Sequence, residues 1–321
     1  MTTMSRTLRV HRTTWLADGV VRVDLRDPEG GQLPGWRPGA HVSLHLPNGL
    51  VREYSLCSDP DSSDSWSVAV LREPSSRGGS SWVHDRLTAG TLIEVDGPRN
   101  DFPLQEARGY VLVAGGIGVT PLLAMARQLA AGSAPWQMLY CGRSSSGMAF
   151  LGELRDAAGA ALRVHADDER GGPADLAAEL AGAAPGTLVY CCGPEPLIQA
   201  VEAALPEGAD LRVERFRAPA DDGERVAGPA ESGSFDVVCA GSGERVRVEP
   251  GVAILRALAE SGIDVPSSCQ EGVCGTCETK VLSGQPEHRD HVLGPAERES
   301  GETMMICVSR CRTAEIVLDL P

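Results

Sequence analysis

The sequence predicts a multidomain protein with three folds in series: an antiparallel β-barrel, an α/β domain with a parallel sheet, and a small α+β domain. Three observations support this prediction. Short segments with alternating apolar positions fill the N-terminal part of the chain, strand and helix patterns alternate from Arg108 onward, and β patterns return after a polar stretch that begins at residue 218. A length of 321 residues suits two or three domains, since domains typically contain about 100–150 residues.

Residues 1–104 are expected to form the barrel. Apolar and polar residues alternate in segments 20–25, 41–46 and 66–71, and turn formers such as the Asp27-Pro-Glu-Gly-Gly stretch separate these segments. Several short strands at this spacing are typical of a small antiparallel barrel.

Residues 105–217 are expected to form the α/β domain. A continuous apolar strand at 111–114 is followed by a helix at 121–131. Further strands and helices then alternate at 137–140, 150–157, 162–165, 174–180, 187–190 and 195–205. This alternation indicates βαβ units and a parallel sheet that is covered on both faces.

Residues 218–233 contain almost no apolar side chains, and we expect them to be a flexible linker. Residues 234–321 are expected to form the third domain. Its pattern is mostly β, with one helix at 252–261 that ends at Gly262, a residue suited to a helix C-cap. A loop rich in cysteine follows this helix.

The composition argues against nucleic acid and membrane surfaces as partners. The formal net charge is −15, Lys280 is the only lysine, and no basic tract is present. The acidity favours a partner with a basic face, or it serves solubility alone. An uncharged run at 109–126 has the length of a candidate membrane span, but glycines and Pro121 interrupt it.

The start of the chain shows no apolar run that resembles a signal peptide. Thiols that bind iron also suit a reducing compartment. We therefore expect a cytoplasmic protein.

The most specific motif is a set of four cysteines. Cys269, Cys274 and Cys277 lie on one short stretch, and Cys307 follows at a distance. This C-x4-C-x2-C…C spacing is that of a plant-type [2Fe–2S] cluster. Glycines at 272 and 275 allow the backbone to wrap closely around the sulfurs. A zinc site or a disulfide framework is the alternative interpretation, although zinc knuckles usually pair two C-x2-C units and only one such unit is present.

The other six cysteines, at positions 57, 141, 191, 192, 239 and 311, are expected to be buried small residues rather than reactive groups. Cys311 lies four residues past Cys307 and is an alternative ligand, but the first four cysteines already complete the set.

A second group of residues indicates a flavin site. Arg52, Tyr54 and Ser55 end one predicted barrel strand, and the Arg77-Gly-Gly-Ser-Ser turn precedes a predicted helix. The unpaired N–H groups at a helix N-terminus favour a phosphate, and an arginine adds a bidentate cation. Tyr54 offers a flat face and Ser55 a hydroxyl for a heterocycle. An exposed strand with a charged tip is the alternative interpretation of the Arg-x-Tyr-Ser string.

A third group indicates a nucleotide site. The Gly115-Gly-Ile-Gly-Val-Thr-Pro121 stretch follows the first strand of the α/β region. It is not the G-x-G-x-x-G fingerprint, but its glycines allow the backbone to approach a pyrophosphate. Cys192 and Gly193 follow a later strand and are expected at the same crevice, because ligands of open α/β sheets bind at the carboxyl ends of the strands. An ordinary strand-to-helix turn is the alternative.

Three charged residues bear on the choice of nucleotide. Asp167 and Asp168 follow the predicted strand at 162–165, where a carboxylate would accept hydrogen bonds from ribose hydroxyls and favour NADH. Arg143 follows the preceding strand and would suit a 2′-phosphate equally well. A solvated turn is the alternative for the aspartates.

These residues together resemble those of the phthalate dioxygenase reductase family, of which vanillate demethylase reductases are close relatives. The resemblance covers almost the whole chain and includes the domain order, with a β-grasp-like ferredoxin domain at the C-terminal end. It implies that the barrel binds FMN and that the α/β domain binds NADH. Within this resemblance, the short Gly78-Gly79 turn and the lack of an adenine-sized extension favour FMN over FAD.

The resemblance also implies roles for single residues. Arg52, Tyr54 and Ser55 would hold the phosphate, ribityl chain and ring of FMN, and the segment with Glu214 and Phe216 would pack over the flavin. The other implied contacts are Ala69, Val70 and Leu71 beside the ring, Gly78, Gly79, Ser80 and Ser81 around the phosphate, and Gly116, Ile117, Gly118, Thr120, Cys192 and Gly193 at the nicotinamide nucleotide.

The resulting hypothesis is an NADH-dependent reductase that passes electrons through FMN and a [2Fe–2S] cluster to a partner oxygenase. A Rieske-type oxygenase is the expected acceptor, with a haem-thiolate monooxygenase as the alternative. The cluster loop, with Gln270, Glu271 and Val273, is the expected docking edge. A different class of function, a cluster-bearing module that senses redox state without turnover, would need no flavin. No general acid or base is nominated, because the cofactors carry the redox chemistry.

Overall fold

A computed structural model describes residues 5–74, 78–218 and 233–321, and the chain divides into two compact units, Met1–Arg215 and Phe216–Pro321. Most of the predicted linker, residues 219–232, lies outside the described residues, and so does Arg77.

The first unit begins with a six-stranded antiparallel sheet in the order β4-β3-β6-β1-β2-β5. Its strands are β1 (Ser5–Ala17), β2 (Val20–Arg26), β3 (His41–His45), β4 (Val51–Ser55), β5 (Trp66–Leu71) and β6 (Leu92–Arg99), and helix α1 (Gly79–Arg86) lies between β5 and β6. An antiparallel bridge between Leu56 and Val68 connects the chain after β4 with β5. The first and last strands of the sheet are therefore joined.

Alternation places one face of these strands in a common core, because successive side chains of a strand point to opposite faces. Val10, Val23, Leu44, Trp66 and Val68 are fully buried there. The antiparallel sheet predicted from the alternating segments is thus present.

The second sheet of this unit is parallel, with five strands in the order β11-β10-β7-β8-β9. The strands are β7 (Gly109–Gly115), β8 (Trp136–Gly142), β9 (Leu162–Ala166), β10 (Thr187–Cys192) and β11 (Asp210–Glu214). The helices are α2 (Val119–Ala131), α3 (Leu151–Ala158), α4 (Asp167–Arg170), α5 (Leu176–Leu180) and α6 (Glu195–Ala204).

Both faces of the parallel sheet are covered. Leu112 of β7 packs in one cluster with Leu122 of α2, whereas its neighbour Val113 packs in another with Leu180 of α5 and Ile198 of α6. The predicted parallel sheet is therefore present, with one strand more than expected.

The uncharged run at 109–126 forms β7, a short 3₁₀ turn at Gly116–Gly118 and the start of α2. Among the described residues, no helix combines the length and the apolar character that a membrane crossing requires.

The second unit contains a mixed five-stranded sheet in the order β13-β12-β18-β14-β16, in which β12 and β18 run parallel. Its strands are β12 (Phe235–Cys239), β13 (Arg245–Val248), β14 (Glu278–Ser283), β16 (Thr303–Met305) and β18 (Glu315–Leu318). A two-stranded ribbon pairs β15 (Pro286–Glu287) with β17 (Arg310–Cys311), and the helices are α7 (Ile254–Glu260) and α8 (Pro295–Ser300).

The expectation of a single helix in this region was wrong, because α8 is also present. Pro295 occupies its first turn, the Gly294 N–H donates to Glu297 Oε2 at 2.7 Å, and Gly301 follows with a φ of 63°. Proline at the start and glycine at the end mark a helix, but six residues without an apolar stripe give no periodic signal.

Candidate cofactor sites

The loop between α7 and β14 brings three of the motif cysteines to one side of the second unit, and Cys307 follows β16. The backbone of this loop has positive φ at Gln270 (57°), Gly272 (70°) and Gly275 (73°). A Cβ at Gly272 would lie 2.6 Å from Val308 Cγ2 and 3.1 Å from Asp290 Cα. Glycine is therefore required at 272 both for its φ and for the close packing behind the loop.

The four motif thiols meet one another. Cys269 is hydrogen-bonded to the thiols of Cys274 and Cys307, and Cys277 is hydrogen-bonded to Cys307. These contacts lower the pKa of Cys269 and Cys277 and raise the pKa of Cys274 and Cys307, because the sulfurs share protons. All ten cysteines of the chain are free thiols.

Backbone N–H groups add to this environment. The Glu271 N–H donates to Cys269 Sγ at 3.3 Å, and Cys274 Sγ lies 3.2 Å from Thr276 Oγ1. Such donors favour thiolates over thiols, and thiolates are the form that binds iron. The donor set of four converging sulfurs therefore fits a [2Fe–2S] cluster. Within the described residues, no three His, Cys, Asp or Glu side chains surround a point that a single metal ion would occupy.

Cys311 does not belong to this group. Its Sγ lies 3.1 Å from Thr313 Oγ1 and donates to the Glu315 carbonyl oxygen at 3.5 Å, so its partners are in the turn after β17 and at the start of β18. The interpretation of Cys311 as an alternative ligand gains no support from this geometry.

A buried carboxylate behind the loop was missed by sequence reasoning. Asp290 is 2% exposed, and its Oδ2 accepts hydrogen bonds from the N–H groups of Val292 (3.1 Å) and Leu293 (2.9 Å). The next residue, His291, donates its N–H to the Gly272 carbonyl at 2.8 Å. Asp290 thus fixes the backbone that supports the cluster loop, a role for which sequence spacing offers no signal.

In the first unit, Arg52 and the start of α1 come together. A Cβ at Gly79 would lie 2.6 Å from Arg52 Nε and 2.9 Å from Arg52 Cγ, so the arginine side chain lies directly against the first residue of the helix. Gly78 precedes this helix with a φ of 95°. A guanidinium beside the N–H groups of a helix N-terminus fits a phosphate monoester. The arrangement is thus compatible with the phosphate site that the resemblance implies.

The neighbouring residues of the expected flavin site are placed as follows. Tyr54 is half-buried on β4, and burial raises the pKa of its hydroxyl. Ser80 accepts a hydrogen bond from the Glu73 N–H at 3.1 Å, so its hydroxyl anchors the preceding segment. Ala69 and Val70 are buried on β5, Leu71 and Ser81 are half-buried, and the Val70 carbonyl lies 2.9 Å from His84 Nε2.

The glycine turn after β7 contacts the end of β10. A Cβ at Gly118 would lie 2.2 Å from the carbonyl oxygen of Cys192 and 2.7 Å from the N atom of Gly193. Gly116 has a φ of 53°, and Thr120 Oγ1 donates to the Ile117 carbonyl at 3.0 Å, which closes the turn. The structure thus brings both predicted edges of the nucleotide crevice together.

Glu214 contacts one residue of the expected flavin site and one residue of the expected nucleotide site. Ser55 Oγ donates to Glu214 Oε2 at 3.4 Å, and Cys192 Sγ donates to the same oxygen at 3.9 Å. Burial of the carboxyl group raises the pKa of Glu214 from 4.5 to about 8, and burial also raises the pKa of Cys192. Residues from the end of β4, from β10 and from β11 therefore meet at one carboxyl group.

The raised pKa predicts how stability depends on pH. Between pH 4.5 and about 8 the unfolded chain has Glu214 ionised, whereas the folded protein keeps it protonated. The folded state then binds more protons, so the contribution of Glu214 to the free energy of unfolding is complete below pH 4.5 and is lost as the pH rises through about 8. We expect Glu214→Gln to flatten this fall, as measured by urea unfolding of flavin-free protein across the window.

The matched control is Glu207→Gln, at an exposed position of the same α/β region. Its pH profile should follow the wild type. Parallel profiles for wild type and Glu214→Gln would contradict the assignment.

The remaining predicted site residues are Phe216 and the two residues that bear on the choice of nucleotide, Arg143 and Asp167. Phe216 is 42% exposed and belongs to the second unit. Arg143 is exposed after β8 and Asp167 begins α4 after β9, and the Asp168 N–H donates to the Arg143 carbonyl at 3.2 Å. Both positions therefore lie at the same edge of the parallel sheet, and their geometry alone does not favour one nucleotide.

Comparison with known proteins places these sites in a family. A family model described as a 2Fe-2S iron-sulfur cluster binding domain matches residues 237–312, which include all four motif cysteines, and a model for the N-terminal domain of a DmmA-like dimethylamine monooxygenase subunit matches residues 101–211. The chain is 46% identical to a phenoxybenzoate dioxygenase subunit beta of Ectopseudomonas oleovorans, over 98% of this chain and 97% of that protein. It is 37% identical to a phthalate dioxygenase reductase of Burkholderia cepacia, over 98% and 97% of the two chains.

Solved structures agree with these relatives. The structure of a phthalate dioxygenase reductase, described as modular for electron transfer from pyridine nucleotides to [2Fe–2S], matches 98% of both chains at 36% identity and a TM-score of 0.71. An intact type IV self-sufficient cytochrome P450 monooxygenase matches 98% of this chain and 41% of its own length, at 41% identity and a TM-score of 0.89. The chain therefore belongs to the phthalate dioxygenase reductase family, and it is an oxidoreductase with a 2Fe-2S iron-sulfur cluster binding domain.

Proposed function

We propose that this protein is the reductase component of an oxygenase system and that it delivers electrons from NADH to a Rieske-type oxygenase. The observation that carries the proposal is the combination, on one chain, of the four converging thiols and the Ser55–Glu214–Cys192 contact. Relatives matched over nearly their whole length have names that include a phthalate 4,5-dioxygenase reductase subunit and a vanillate O-demethylase oxidoreductase. These names support an oxygenase as the acceptor.

A haem-thiolate acceptor is the second candidate. It is favoured by the match of 98% of this chain to part of a self-sufficient cytochrome P450. A further relative, 39% identical, is named tetrachlorobenzoquinone reductase, so a quinone belongs among the acceptors to be tested.

When bound, FMN and the [2Fe–2S] cluster would supply the conversion of two-electron hydride delivery into single-electron transfer. The residues of this chain bind and orient them. Arg52 and the N-terminal N–H groups of α1 hold a phosphate, and the backbone at 116–118 approaches the nucleotide. Asp167 accepts from ribose hydroxyls and thereby favours NADH over NADPH. Gln270, exposed at the cluster loop, belongs to the edge proposed for the acceptor.

The domain boundaries follow from the same proposal. The proposed division is residues 1–104 for the FMN-binding barrel, 105–217 for the NAD-binding domain and 234–321 for a ferredoxin domain of the β-grasp type. The separate antiparallel, parallel and mixed sheets are consistent with three folds in series.

The test is an anaerobic titration. Purified protein should show flavin and [2Fe–2S] absorbance bands, NADH should bleach both, and NADPH should act more weakly. Addition of a Rieske oxygenase, a cytochrome P450 or a quinone should then show which acceptor reoxidises the cluster fastest. Failure of NADH to bleach either chromophore would support the redox-sensing module instead.

A further inference from the structure

Arg127 on α2 makes contacts that the proposed chemistry does not yet explain. Its Nη1 donates to the carbonyl oxygens of Cys57 at 3.1 Å and Ser58 at 2.9 Å, and its Nη2 pairs with Glu153 on α3. Both side chains of this ion pair are partly shielded from solvent, with 26% of Arg127 and 37% of Glu153 exposed.

The two carbonyls lie directly after the strand that carries Arg52, Tyr54 and Ser55. Here Leu56 bridges to Val68 and the Cys57 N–H donates to the Ser67 carbonyl at 2.9 Å. Arg127 therefore holds the chain at the point where β4 ends and is joined to β5.

The other end of the same helix begins at the nucleotide crevice. Helix α2 starts at Val119, immediately after the glycine turn 116–118 that contacts Cys192. A helix is a stiff element, so a restraint at Arg127 also restrains the turn at its N-terminus. The Arg127 side chain thus links the helix that follows the expected nucleotide turn with the end of the expected flavin-binding strand.

Further ion pairs connect Glu153, the partner of Arg127, with the antiparallel sheet. Glu153 also pairs with Arg22 Nη1 on β2 at 3.3 Å, and Arg22 Nε lies 3.2 Å from Asp24 Oδ1. Ser67 Oγ on β5 donates to the same Asp24 oxygen at 2.8 Å. The contacts therefore connect α2 and α3 with β2 and β5, and β5 carries the residues expected beside the flavin ring.

Arginine is suited to this position, since its planar guanidinium places several donors in a fixed fork. Lysine at 127 would place a single ammonium where two carbonyls and a carboxylate now converge, and methionine would leave the two carbonyls without this donor. An arginine–carboxylate pair that only stabilised the fold would not need to reach the backbone after the flavin strand.

We propose that Arg127 is a positioning residue for hydride transfer, and that it acts by fixing the nucleotide turn against the end of the flavin-binding strand. This inference rests on the proposed transfer of hydride from NADH to FMN. Misplacement of reacting groups by about 1 Å costs on the order of a hundredfold in rate. We therefore expect Arg127→Met to slow flavin reduction at saturating NADH by roughly tenfold to a hundredfold.

The experiment compares Arg127→Met, Arg127→Lys and Glu153→Gln with wild type in anaerobic stopped-flow reduction by NADH. The control is Arg163→Met, which removes an ion pair of 2.6 Å to Glu179 that lies wholly within the α/β region. The positioning role predicts a lower limiting rate with little change in the NADH concentration for half-saturation. It also predicts faster amide exchange at 56–59 in flavin-free Arg127→Met than in the control.

If Arg127→Met reduces its flavin within about twofold of the control, or leaves exchange at 56–59 unchanged, the inference fails. If Arg127→Met does not fold, Arg127→Lys and Glu153→Gln decide the question by the same two measurements. If the wild type itself is not reduced by NADH, the proposed function fails instead, and the two failures are thereby distinguished.

Discussion

Replacing Cys307 by serine is expected to remove the [2Fe–2S] absorbance and to stop electron delivery to a protein acceptor, while reduction of the flavin by NADH continues. The reason is that Cys307 is the distant fourth sulfur and contacts both Cys269 and Cys277. We expect cluster-dependent acceptor reduction to fall by roughly two orders of magnitude or more, since the cofactor carries the single electrons. Iron content and visible spectra would measure loss of the cluster, and a ferricyanide assay would measure the reduction of the flavin that continues without it.

The matched control is Cys311→Ser, four positions along the same chain. Cys311 hydrogen-bonds to Thr313 and the Glu315 carbonyl rather than to the motif sulfurs. This variant should retain iron and acceptor reduction near the wild-type level. Full iron content in Cys307→Ser, or loss of the cluster only in Cys311→Ser, would contradict the ligand assignment.

Replacing Gly118 by alanine is expected to produce the second-largest effect. Its Cβ would lie 2.2 Å from the Cys192 carbonyl oxygen and 2.4 Å from the carbonyl carbon, both backbone atoms that have little freedom to move. Overpacking of this kind costs about 1–3 kcal/mol. Since the displaced backbone belongs to the proposed nucleotide crevice, we expect NADH binding to weaken by about tenfold or more, as measured by the NADH concentration that half-saturates flavin reduction.

Two other glycines serve as comparisons. A Cβ at Gly152 meets nothing within 4 Å, so Gly152→Ala should bind NADH as the wild type does. Gly116 is equally uncrowded but has a φ of 53°, so Gly116→Ala should lose about 1 kcal/mol of stability through backbone strain alone. Equal NADH affinity in Gly118→Ala and Gly152→Ala would refute the steric argument.

The sequence was most informative where chemistry demands a fixed spacing or a residue without a side chain. The spacing of Cys269, Cys274, Cys277 and the later Cys307 predicted that four sulfurs would converge, and the thiols do meet. Gly118 was predicted at a crevice with Cys192, and the two residues are in backbone contact. In both cases a cysteine spacing or a glycine turn that is visible in the sequence indicated the site, although Cys307 and Cys192 are distant from their partners along the chain.

Features that depend on distant partners were not predictable in the same way. Strand β11 (Asp210–Glu214) has only two apolar residues at the edge of its sheet, so its pattern gave no clear strand signal. Asp290 acts on backbone N–H groups behind the cluster loop, and Arg127 acts on carbonyls about seventy positions earlier in the chain. Charged residues of this kind are indistinguishable in sequence from a solvated surface until the fold brings their partners near.

The strand order of the second unit has a consequence for biosynthesis. Strand β18 lies at the centre of its sheet, between β12 and β14, yet it is the last strand of the unit to leave the ribosome. All four motif cysteines are translated before β18. The nascent polypeptide therefore contains these cysteines before the central strand of the sheet has been synthesised. Pairing the first strand of the unit with the last is a non-local step, and such steps are slow. Iron loading in the cell should therefore follow the pairing of β18 with β12 and β14 rather than the synthesis of the cysteines alone.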